Sequence, residues 1–159
     1  MESLVNVLRT RFPNISYREG STFCWSPRTR EVFYVPSQRS QSATWSLLHE
    51  TAHALLGHIA YQTDFELVRM EVAAWEKAKD IGEAMDVLID EDHVQDCLDT
   101  YRDWLCARSV CPQCNTQALQ QANLRYYQCF NCHMQWRVTP SRFCRAYRSA
   151  IPTAARLHV

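Results

Sequence analysis

The chain has 159 residues, 47% hydrophobic and 21% charged, with a formal net charge of +0, which describes one globular unit with room for a real core plus a small appendage. No apolar run approaches the roughly 20 residues that cross a bilayer, and the start MESLVNVLRTRF has no signal-peptide core, so a cytoplasmic location without a membrane partner is expected. Eight cysteines in such a chain point to metal binding rather than to disulfides.

Residues 2–11 pattern as a helix, with Leu4, Val7, Leu8 and Arg11 near one face and Pro13 as the stop. The stretch ISYREGSTFCWSPRTREVFYVP alternates and is rich in aromatic and β-branched residues, which predicts two or three short strands around an SPRT turn. Its last part, Glu31 to Val35, is expected at a site edge, where it could pair with an extended substrate. Ser42 is the expected cap of a helix running to about His58, because Trp45, Leu48, Ala52, Leu55 and Leu56 form one apolar stripe and Gly57 is a natural stop. Thr63 and Glu66 have capping-box spacing and open a helix through about Lys79, with Leu67, Met70, Ala74 and Ala78 inward. After Gly82 an acidic amphipathic helix uses Val94, Leu98, Tyr101 and Leu105.

The second of these helices carries HETAHALLGH, residues 49–58. His49 and His53 lie one turn apart, so two imidazole nitrogens can reach one Zn²⁺, and Glu50 points to the adjacent quadrant as general base. Zinc lowers the pKa of a bound water to near 7 and polarises a carbonyl, which is the chemistry a hydrolase needs. The competing reading is an amphipathic helix with two incidental, hydrogen-bonded histidines. A catalytic zinc requires a third protein ligand. The position six residues after His53 is Ile59, His58 falls one residue early at the Gly57 break, and the next histidine is His93. That leaves Asp64, Glu66 and Glu71. Glu66 already serves the Thr63 box, whereas Glu71 sits mid-helix beside Met70 and Ala74, where an unpaired charge is expensive. Glu71 is therefore the expected ligand.

LLHETAHALLGH followed by MEVAAWEKA resembles the ImmA/IrrE-type metallopeptidases, small glutamate-zincins. The resemblance covers roughly residues 12–80. It implies that His49, His53 and Glu71 hold a catalytic zinc and that Glu50 is the catalytic base. It also implies a cytosolic endopeptidase that cuts a regulatory protein, often a helix-turn-helix repressor.

The C-terminal part has a separate signal. CPQC at 111–114 and CFNC at 129–132 are two C-x2-C pairs separated by 14 residues, the arrangement of a zinc ribbon in which Cys111, Cys114, Cys129 and Cys132 hold a structural zinc. LRYYQ and MQWRV are its expected strands. His133 follows the last cysteine, but four thiolates already close the tetrahedron. Tyr126, Tyr127 and Trp136 could stack bases or fill the ribbon's own core. Cys24, Cys97, Cys106 and Cys144 read as small buried residues, and His93 and Tyr101 read as core or solvated groups more readily than as oxyanion donors.

All 17 acids lie before Trp104 with 10 of the bases, while the rest of the chain holds seven arginines and no acid. Such a segment attracts an anionic surface, either DNA carrying a bound protein or the chain's own acidic helix. The sequence thus predicts an α+β protein: a zincin-like metallopeptidase domain over 1–109, with a small sheet and active-site helices, then a zinc ribbon and basic tail over 110–159. The leading function is an intracellular zinc endopeptidase with a protein or peptide substrate and two Zn²⁺ ions. A SprT-like protease acting on DNA-bound proteins is the runner-up, although that family uses a third histidine and none occurs between 59 and 92. An inert zinc-ribbon adaptor binding nucleic acid or protein is the reading from a different class, and the intact Glu50 argues against it.

Overall fold

The computed structural model describes residues 1–121, 126–139 and 148–151. The chain forms two compact units, Met1–Tyr61 with Arg69–Gln95, and Gln62–Val68 with Asp96–Val159.

The first unit opens with helix α1, Glu2–Arg11. Val5 and Leu8 are its fully buried residues. Val7 is 48% exposed, so the buried line differs from the expected one. The helix is short and is pinned near the first strand by Arg9, which donates to the Tyr17 carbonyl at 3.0 Å. Three strands follow, β1 Ser16–Glu19, β2 Cys24–Ser26 and β3 Glu31–Tyr34. They form a mixed sheet in the order β1-β3-β2, with β1 parallel and β2 antiparallel to β3. The SPRT segment is indeed the turn between β2 and β3: the Thr29 and Arg30 N–H groups donate to Ser26 Oγ and the Ser26 carbonyl, and Arg30 takes φ +58°.

This topology corrects the edge role expected for Glu31–Val35. β3 is paired on both sides, because the parallel strand β1 occupies the flank that a simple hairpin would leave open. The edges belong to β1 and β2. Val32 and Tyr34 are the buried residues of β3, and the next helix packs on β2 and β3.

That helix, α2, spans Gln41–Leu55. Its cap is Ser40 rather than Ser42, since Ser40 Oγ accepts the Ala43 N–H at 3.1 Å and satisfies a donor of the first turn. Trp45, Leu48 and Ala52 are buried as expected, joined by Leu47 and Thr51. Leu55 and Leu56 are 38% and 42% exposed. They belong to the terminal turn, where the stripe leaves the core.

Helix α3, Asp64–Glu83, begins at the expected box: Thr63 Oγ1 accepts the Glu66 N–H at 3.0 Å, and Glu66 Oε2 accepts the N–H groups of Gln62 and Thr63. It continues past Lys79, with Glu71, Ala74, Trp75, Ala78 and Ile81 buried. Leu67 and Met70 are half-buried. Gly82 lies inside the helix because the chain folds back on it: a Cβ there would meet the Val87 carbonyl oxygen at 2.5 Å, and the N–H groups of Met85 and Val87 both donate to the Gly82 carbonyl. Helix α4, Glu91–Ser109, follows, with Asp90 Oδ1 accepting the His93 N–H at 3.0 Å.

In the second unit four antiparallel strands, β4 Leu119–Gln120, β5 Tyr127–Gln128, β6 Gln135–Val138 and β7 Arg148–Ala150, are ordered β4-β5-β6-β7. The expected strand MQWRV corresponds to β6, while the start of LRYYQ lies outside the described residues. Tyr127 and Trp136 are buried and stacked with centroids 5.6 Å apart, so these two rings are core and not a base-stacking surface. A buried ion pair lies beneath them: Arg108 Nε donates to Asp64 Oδ2 at 2.6 Å, the Tyr127 hydroxyl donates to the same oxygen, and Arg108 also donates to the Thr139 carbonyl. Among the described residues no helix is long and apolar enough to cross a membrane.

Candidate metal centres

The sequence places His49 and His53 on consecutive turns of α2, and the fold brings Glu71 of α3 to them. His49 Nε2 lies 3.2 Å from Glu71 Oε2, His53 Nε2 lies 3.1 Å from His49 Nε2, and His53 Nε2 lies 3.6 Å from Glu71 Oε2. All three side chains are buried. A tetrahedral ion with bonds of 2.0–2.1 Å separates its ligand atoms by about 3.3 Å, so these spacings are the edges that one Zn²⁺ would impose. Two imidazoles and one carboxylate are a borderline-soft donor set with a net charge of −1, suited to a divalent ion that keeps one position open. The fit between donors and metal is good.

Charge favours the same reading. Burial pushes the Glu71 carboxyl up, but the hydrogen bonds with His49 and His53 outweigh it and hold the pKa at about 2. Glu71 is therefore an anion throughout the neutral range. The other two candidates are engaged elsewhere: Asp64 pairs with Arg108 and Tyr127, and Glu66 closes its capping box. Glu71→Ala is accordingly expected to lose the metal of this site, whereas Glu66→Ala should cost about 1 kcal/mol for the lost capping-box hydrogen bonds and keep it. Zinc content and Tm of the two variants check this, and the opposite pattern would move the third ligand to Glu66.

Glu50, between the two histidines, is half-buried, and its Oε2 accepts the backbone N–H of Trp25 at 2.6 Å. The contact ties the carboxylate to edge strand β2. The indole Nε1–H of Trp25 donates to the His58 carbonyl, also at 2.6 Å. His58 is not among the three converging donors, but its Nδ1 lies 2.8 Å from His53 Nδ1. Burial, then the proximity of His53, lowers the His58 pKa. Among the described residues His49 Nδ1 is buried without a hydrogen bond, and the ring packs against Trp75 at 4.2 Å between centroids. Ring packing thus orients one imidazole and a hydrogen bond the other. His93 is one ring further out, 5.7 Å from Trp75 and 4.8 Å from Trp45.

Trp25 was not recognisable from the sequence as a site residue. Only the pairing of β2 on β3 directs its N–H toward α2. His58 was legible as a feature of the helix end, since Gly57 marks the stop, but its five-residue offset from His53 matches no ligand spacing.

The second cluster lies in the antiparallel unit. Cys111 Sγ is 3.6 Å from Cys132 Sγ, Cys114 Sγ is 3.5 Å from Cys129 Sγ, and all four sulfurs lie within 4.8 Å of one another. Four thiolates on Zn²⁺ at 2.3 Å stand about 3.8 Å apart, close to these values and far from a disulfide's length. The two pairs are built alike. Asn115 and His133, each following the second cysteine of its pair, take φ +56° and +60° and donate their N–H to the Cys111 and Cys129 carbonyls at 3.0 Å. The N–H groups of Cys111 and Cys129 in turn donate to the Thr116 and Met134 carbonyls at 2.9 Å. His133 is thus a turn residue in the left-handed region, which suits Asn and His better than most.

Of the other cysteines, Cys24 and Cys106 are exposed and Cys97 is half-buried, contrary to the expected burial. Cys24 lies on an edge strand, and Cys106 Sγ faces the Gln117 amide at 3.0 Å. Cys144 and the arginines at 125, 142, 145 and 156 lie outside the described residues, and with them most of the basic segment. Compared with known proteins, the chain matches no family model, no curated protein and no solved structure.

Proposed function

We propose that this chain is an intracellular zinc-dependent endopeptidase of the glutamate-zincin type with a C-terminal zinc ribbon, acting on a regulatory protein such as a repressor. The observation that carries this reading is the convergence of His49 Nε2, His53 Nε2 and Glu71 Oε2 at tetrahedral spacing, with Glu50 between the two histidines in sequence. The resemblance of LLHETAHALLGH and MEVAAWEKA to ImmA/IrrE-type metallopeptidases supports it.

In this reading the zinc supplies Lewis acidity and lowers the pKa of water at the site. Glu50 takes a proton from the attacking water and passes it to the leaving amine. Trp25 restrains Glu50 through the backbone hydrogen bond to Oε2. Because N–H and C=O of one strand residue point to the same side, the Trp25 carbonyl shares that side, and an extended substrate is proposed to run along β2. The substrate is a protein or peptide. The arginine-only charge after Trp104 supports an additional anionic partner, DNA or a DNA-bound protein, although Arg108 is already committed to Asp64.

The purified chain should carry two zincs, and a chelator of moderate strength should first remove the one held by three protein ligands. Cleavage of an unstructured protein such as casein should stop at that point and return on adding zinc, with the four-cysteine metal retained throughout. Cleavage indifferent to the chelator, or none by fully loaded protein, would overturn the peptidase reading.

A further inference from the structure

The end of α2 is built to place one more imidazole. Leu55 is its last helical residue and Gly57 adopts φ +65°. The His58 N–H then donates to the His53 carbonyl at 3.1 Å and the Gly57 N–H to the Ala54 carbonyl at 3.2 Å. This pair of bonds is a Schellman motif, in which the residue after the left-handed glycine folds back over the residue three before the cap. That contact is usually apolar. Here both positions are histidine, with ring centroids 4.9 Å apart and planes inclined at 68°, and the two Nδ1 atoms 2.8 Å apart.

Two imidazole nitrogens at that distance form a hydrogen bond only if one carries the proton. His53 Nε2 is committed to the cluster with His49 and Glu71, where a metal ligand must offer a lone pair. Its proton therefore belongs on Nδ1, and His58 Nδ1 accepts. His58 is held for this purpose by the Trp25 indole, which donates to its carbonyl at 2.6 Å.

We propose that His58 is the positioning residue of the histidine-glutamate metal site: by accepting the Nδ1–H of His53 it fixes the tautomer and ring angle that present Nε2 to the metal. The inference rests on the metal-site reading above. It assigns to an imidazole the task that a carboxylate or backbone carbonyl commonly performs for metal-bound histidines. Gly57 belongs to the same device. A Cβ at Gly57 would meet nothing within 4 Å, so Gly57→Ala tests the left-handed backbone alone, without a clash.

The test is zinc affinity of the full chain, measured site by site by competition with a chromophoric chelator. The four-cysteine metal of the same molecule serves as internal reference. His58→Ala should weaken the histidine site about 10–100-fold and leave the cysteine site unchanged. His58→Asn, whose amide oxygen can take the place of Nδ1 as acceptor, should recover most of that loss. Gly57→Ala should weaken the site in the same direction as His58→Ala. An unchanged affinity in His58→Ala overturns the proposal, as does equal weakening by Ala and Asn. If the unsubstituted chain binds only the cysteine metal, the metal-site reading itself fails, which is a different result from two metals with no effect at His58.

Discussion

Glu50→Gln is expected to lower hydrolysis by about 10²–10⁴-fold while the protein keeps its fold and both zincs. Glutamine has the same length, and its amide oxygen can still accept the Trp25 N–H that now meets Glu50 Oε2 at 2.6 Å. The side chain therefore stays in place and loses only the capacity to take a proton. Because Glu50 is not one of the three converging donors, the metal should remain. The decisive measurement is turnover per bound zinc for the two proteins at matched zinc content. Equal turnover would remove Glu50 from the chemistry, and lost zinc would place its carboxylate in the ligand set instead.

The other large effect belongs to the cysteine cluster. Cys129→Ser should reduce the zinc content from two per chain to one and open the C-terminal strands to limited proteolysis. Structural zinc in small modules contributes on the order of 10–16 kcal/mol of apparent binding free energy near neutral pH, and this becomes folding free energy. Among the described residues, the buried cluster around Cys111 and Cys129 adds to its thiols only Ala118, Tyr127 and Trp136, with Met134 and Val138 partly buried against it. That is too little apolar surface to offset the ordering of the segment without the metal. A Cys129→Ser protein with two zincs and an unchanged digestion pattern would show that these thiols are not ligands. A variant that also lost the histidine-site metal would show that the two sites do not fold independently.

Much of both candidate centres was readable in the sequence because local periodicity decides which side chains share a face. Residues four apart on a helix share a face, so HETAH announces a two-imidazole face, and a C-x2-C pair closes on a tight turn whatever surrounds it. The Thr63 box and the Gly57 stop were legible for the same reason, since each depends on hydrogen bonds within a few residues. Glu71 was reachable by elimination: Asp64 and Glu66 had other possible tasks, and a mid-helix carboxylate beside apolar residues needs a partner.

What the tertiary structure alone decided are the relations between segments distant in the chain. Strand β3 became central because β1 pairs with it in parallel, a choice that alternation within one strand does not encode. Trp25 reached Glu50 and His58 only through the pairing of β2 on β3 and the packing of α2 on that sheet. Asp64 was one candidate ligand among three until Arg108 and Tyr127, 44 and 63 residues away, claimed its carboxylate. Periodicity states which face of an element is buried, and it carries no information about which distant side chain meets that face. The two candidate metal-binding sets were therefore written in the sequence, while the contacts around them were assigned by the fold.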